Sequence, residues 1–139
     1  ASAAKAFGER HWTVAERCME LGSLHLESES PRLALEQYRR AWMIFSSSLG
    51  PRHPKALAAQ RCMAESCVVV SDFDQAWALY SENLEVGVEV LGEAHLDNVL
   101  VRCKMADVEN RRAEREKAVE LYLQVIGDMS KCLGENHPE

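Results

Sequence analysis

The side chains of this chain best suited to chemistry are its thiols and imidazoles. Cys62 and Cys67 lie between His53 and His95, and two thiolates with two imidazoles would suit a zinc ion. On a helix, however, a spacing of five turns the two thiols about 140° apart, so a single ion does not reach both. The five cysteines (Cys18, Cys62, Cys67, Cys103 and Cys132) form an odd set without a C-x-x-C pair, which fits reduced thiols rather than a disulfide framework. Cys18 and Cys67 are expected as small core residues. No glycine-rich phosphate cradle, G-x-S-x-G elbow or H-E-x-x-H helix is present, so neither catalytic residues, a metal nor a cofactor is expected.

What remains chemically is recognition, and the bulk properties bound its kind. The 139 residues are 47% hydrophobic and carry a net charge of -6, enough apolar surface for a core and a field that repels nucleic acid and anionic lipid. No run approaches the roughly 20 apolar residues of a membrane span, and Ala1 to Arg10 lacks the apolar core of a signal peptide. A cytoplasmic protein with a protein partner, no nucleic acid and no membrane insertion is expected.

The elements that would position such a surface are announced by a repeat. Phe7-Gly8-Glu9-Arg10-His11-Trp12 returns as Leu49-Gly50-Pro51-Arg52-His53-Pro54, as Leu91-Gly92-Glu93-Ala94-His95-Leu96 and as Leu133-Gly134-Glu135-Asn136-His137-Pro138, each 42 residues after the last. Self-similarity at a fixed period of this size marks an array in which each unit buries its apolar face on its neighbours. Each tract reads as a helix stop followed by a start: Gly at the C-cap, then His, with Pro in the next first turn. The histidines are expected to cap or pack at these corners.

Between corners, Leu21-Gly22 aligns with Met63-Ala64 and Met105-Ala106, Ala34 with Ala76 and Ala118, and Tyr38 with Tyr80 and Tyr122. A large residue beside a small one lets two helices approach closely, and Ala four residues before Tyr shares its face. The expectation is all-α with six helices: 11–27 and 31–48, 54–70 and 73–90, 96–112 and 115–132. The breaks are Ser28-Glu29-Ser30, Ser71-Asp72 and Ala113-Glu114. Ser30 and Asp72 are expected N-caps, with Asp72 and Gln75 fitting a capping box. No sustained alternation suggests a strand.

This pattern resembles the tetratricopeptide repeat, in the 42-residue variety of kinesin light chains. The match is carried by Ala34-Leu35-Glu36-Gln37-Tyr38-Arg39-Arg40-Ala41-Trp42-Met43-Ile44, then Leu49-Gly50 and His53-Pro54. The second and third units keep Ala76 and Ala118 but have Asn83 and Val125 where the first has Ala41. The resemblance implies a right-handed α-α superhelix of about three helix-turn-helix repeats (11–50, 53–92 and 95–134, with 135–139 opening a further one) with a cytoskeletal association, and a chain that begins inside one corner tract and stops at His137-Pro138-Glu139 is expected to be a segment of a longer array. It further implies that first helices line a concave groove holding peptides or helices. Where light chains carry a peptide-gripping Asn this chain has Glu20, Cys62 and Lys104, and its groove positions do not form the carboxylate clamp of chaperone-binding members.

The first helices place Glu16, Met19, Glu20, Ser23, Arg61, Cys62, Glu65, Cys103, Lys104, Asp107 and Asn110 on neighbouring stripes. Mixed charge bordering apolar contacts would take an extended peptide or an amphipathic helix, making the chain an adaptor or scaffold module. A structural spacer, a self-assembly element or a regulatory appendage of a larger enzyme is the alternative. Trp42, Trp77, Tyr80 and Tyr122 are expected in the core, and the pairs Arg39-Arg40 and Arg111-Arg112 on solvated faces. With no polar capping helix after Leu133, Val119, Leu123 and Ile126 are expected uncovered or self-associated through another copy.

Overall fold

The computed structural model describes residues 2–136, with side chains from 11 to 134. Five helices follow one another: α1 (Ser2–Glu27), α2 (Pro31–Leu49), α3 (Pro54–Val69), α4 (Phe73–Leu91) and α5 (Leu96–Asn136). Each packs against the next. The described residues contain no strand, and no helix among them is long and apolar enough to cross a membrane.

The turns show why these helices stop where they do. At the end of α1 the Ser30 N–H donates to the His25 carbonyl at 2.8 Å and Glu29 N–H to Leu26 at 3.2 Å; at the end of α3 Asp72 N–H donates to Cys67 at 2.8 Å and Ser71 N–H to Val68 at 2.9 Å. Both are Schellman closures, which need a left-handed residue, supplied by Glu29 (φ 60°) and Ser71 (φ 64°). Pro31 then starts α2, and Asp72 accepts from the Gln75 N–H at 3.3 Å to start α4. Ser30 occupies the cap position of α2 without a side-chain cap bond.

The two inter-unit corners are equally alike. Gly50 (φ 94°, ψ 150°) and Gly92 (φ 90°, ψ 153°) hold a conformation that essentially only glycine adopts. The Nδ1 of His53 accepts from the Lys55 N–H at 3.1 Å, and that of His95 from Asp97 at 3.2 Å. These two histidines cap the corners, as their position in the tract implied.

Among the described residues, the glycines of the first and last tracts do not turn the chain. Gly8 lies inside α1 and Gly134 inside α5, while His137 and Pro138 fall outside the described residues. The third expected hairpin is also absent: α5 runs unbroken for 41 residues through Ala113-Glu114, so five helices stand where six were expected. Ala113 and Glu114 stand where the second hairpin has Ser71 and its capping Asp72, and neither is a preferred cap residue. Strong helix formers surround both, so continuing the helix is the easier conformation.

The core therefore belongs to α1–α4 and the first half of α5. Ala15, Cys18, Ala41, Phe45, Ala56 and Ala59 form one cluster; Ala64, Cys67, Ala76, Tyr80, Val101 and Val108 form another; and Ala34, Tyr38 and Met63 join them. Alanine at so many contacts lets helices approach closely. Gly22 serves the same end, since a Cβ there would lie 2.6 Å from the Tyr38 ring. Trp42 and Trp77 are half-buried against these clusters and Tyr80 is buried. Tyr122, expected in the core, is 67% exposed, and Ala118 is exposed where Ala34 and Ala76 are sealed. Val119, Leu123 and Ile126 are uncovered, but because α5 does not fold back rather than because a stacked hairpin ends the array.

Candidate partner-binding groove

The first-helix positions gather along α1, α3 and α5 as three adjoining hollows. Glu16, Met19 and Glu20 join Phe45, Lys55 and Ala58 around about 290 Å³. Arg61, Cys62, Glu65 and Lys104 join Ala58, Tyr80, Leu100 and Val101 around about 260 Å³. Glu65, Lys104 and Asp107 join Val68, Val69, Tyr80 and Arg111 around about 150 Å³. Ala58 borders the first two hollows, and Glu65, Tyr80 and Lys104 border the last two, so the three form one run. Eight of the eleven expected residues line it. Ser23 instead reaches the Tyr38 hydroxyl, and Cys103 and Asn110 are exposed on α5 outside the hollows.

The charges along the run are unevenly satisfied. At one end the Lys55 Nζ lies 2.6 Å from Glu16 Oε1 and 4.5 Å above the Trp12 ring. That hydrogen bond and charge hold the Glu16 carboxyl below its usual range. At the other end Arg111 bridges to Asp107 at 3.2 Å. In the middle Arg61 lies 3.9 Å from Asp97, and neither Glu65 nor Lys104 forms an ion pair among the described residues. A carboxylate and an ammonium facing an open hollow are available to a guest.

Two neutral donors complete the middle hollow. Burial, then the Glu65 charge, push the Cys62 thiol up to about 11 and the Tyr80 hydroxyl up to about 12. Both stay protonated near neutral pH, so Cys62 offers a weak hydrogen-bond donor rather than a nucleophile. The Cys67 thiol, also raised to about 11 by burial first and Asp72 second, is sealed in the core.

Lys55 lines the run without having been singled out from sequence, and Tyr80, expected in the core, reaches the middle hollow. A signal existed for Lys55: it lies one helical turn before Ala58, the period equivalent of Glu16. A further hollow of about 520 Å³ opens on another side, where Phe73 and Asp74 of α4 face Arg112, Arg115 and Val119 of α5. Arg112 is thus more than a solvated charge: it donates to Asp74 at 3.0 Å and covers the Trp77 ring at 5.7 Å. No protein-family model and no characterised protein matches this chain.

Proposed function

We propose that this chain is a non-catalytic interaction module of the tetratricopeptide type, holding a peptide or amphipathic helix of a cytoplasmic protein partner along the hollows of α1, α3 and α5. The middle hollow carries this reading. Arg61, Glu65 and Lys104 border an apolar floor of Ala58, Leu100 and Val101, the arrangement that grips one apolar side chain and reads the polar groups beside it. A guest acidic on the side of Arg61 and Lys104 and carrying a donor toward Glu65 fits best.

The test is a displayed peptide library selected against the unaltered chain, with the selected peptides measured by fluorescence anisotropy. Arg61→Glu with Lys104→Glu should weaken binding by about tenfold or more, or roughly 1.4 kcal/mol, while the helical circular-dichroism signal and melting stay put. Equal affinity for the double variant refutes the groove.

A further inference from the structure

The pairs that the 42-residue register sets across a third helical hairpin are not made within the unbroken α5. In the first hairpin, pairs placed symmetrically about the loop residue Ser30 come together across α1 and α2: Gly22 lies against the Tyr38 ring, and Ala15 with Phe45, Met19 with Ala41 and Leu26 with Ala34 share clusters. Each pair sets a small residue against a larger one. In the second hairpin, symmetric about Asp72, Ala64 with Tyr80 and Val68 with Ala76 share one cluster. Applied about Glu114, the same register pairs Val99 with Met129, Cys103 with Val125, Ala106 with Tyr122 and Asn110 with Ala118. All eight of these side chains are exposed. The straight α5 makes the pairings unreachable within one chain, since 16 residues of helix hold Ala106 and Tyr122 about 24 Å apart.

We propose that a second copy of this chain covers this face by exchanging helices. Residues 115–133 of each copy lie antiparallel on residues 96–112 of the other, about a two-fold axis at Glu114. A two-fold pairing is self-complementary: Ala106 meets the partner's Tyr122 while Tyr122 meets the partner's Ala106, and all four pairings form twice. The body of the protein does not obstruct the approach. Val101, Met105 and Val108 turn toward the α4 cluster, and Val99, Cys103, Ala106 and Asn110, each two residues from one of these, lie on the opposite side of α5. The hinge is Ala113-Glu114, where α5 runs on although the first two hairpins turn there at a left-handed residue.

The experiment joins light scattering over a concentration series to photo-crosslinking from Tyr122→benzoylphenylalanine, a change at an exposed site. The expected particle has twice the 15.6 kDa chain mass, and the crosslink joins position 122 of one chain to a peptide containing Ala106 of the other. Ala113→Gly with Glu114→Asp, which restores a closable loop, should lower the mass to one chain and make the crosslink intrachain. A single-chain mass at every concentration for the unaltered protein, an intrachain crosslink in it, or a hinge variant as dimeric as its parent overturns the proposal.

Discussion

Asn83 is the sharpest place to test the energetics of this fold. Its side chain is 1% exposed, and its Nδ2 donates to the Leu57 carbonyl at 2.8 Å and to Gln60 Oε1 at 2.9 Å. In the first unit the equivalent positions are Cys18 and Ala41, an apolar pair buried in one cluster; the second unit has a polar pair in its place. Asn83→Ala removes both bonds and strands the Gln60 amide oxygen where water is excluded, an oxygen whose desolvation alone costs about 1–3 kcal/mol. With the vacated volume we expect a loss of about 2–3 kcal/mol in urea unfolding followed by circular dichroism, with an unchanged m-value. Gln60→Leu alone leaves Asn83 its bond to Leu57 and should cost about 1 kcal/mol. The double variant copies the apolar logic of the first unit, so its loss should fall short of the sum of the singles by about 1 kcal/mol or more. Additivity within about 0.5 kcal/mol refutes the reasoning, because the two side chains would then not be satisfying one another.

Glycines from the same sequence tract should respond with opposite signs. Gly50→Ala puts a Cβ at φ 94° and should cost about 1–3 kcal/mol, whereas Gly134→Ala, inside α5 with nothing within 4 Å, should stabilise the helix by about 1 kcal/mol; matching signs in thermal melts would contradict the corner assignment. Glu16 has a lowered folded-state pKa, so its pairing with Lys55 contributes above the unfolded carboxylate value and is lost as pH falls through the folded one. Carbon-detected NMR titration should show this depressed midpoint, and Lys55→Met should raise it; an unmoved midpoint rejects Lys55 as the cause. With its pKa raised to about 11, Cys62 should alkylate much more slowly at mildly alkaline pH in the folded chain than after urea unfolding; comparable rates by peptide mapping would count against a protonated thiol at the groove floor.

The groove shows how far spacing alone can reach. Glu16, Arg61, Glu65, Lys104 and Asp107 fall on one run of hollows because helical periodicity places them there once consecutive helices pack. Their partners did not follow from periodicity. Lys55 reaches Glu16 across α1 and α3, and Tyr80 enters the floor from α4, contacts that depend on the separation and tilt of whole helices. Asn83 in place of an alanine departs from the repeat in sequence, and its reason is visible only in the buried amide of Gln60 and carbonyl of Leu57.

From the chain alone came the helical class, the breaks near Ser30 and Asp72 and the corners at Gly50 and Gly92, because caps, left-handed positions and apolar spacing act over a few residues. Tertiary structure decided which repeats of the pattern become turns. Gly8 and Gly134 match Gly50 in sequence yet lie within helices, and Ala113-Glu114 aligns with two loops yet continues α5. A turn forms where its local cost is offset by burying the helix it returns, and that balance differs between the first two units and the third.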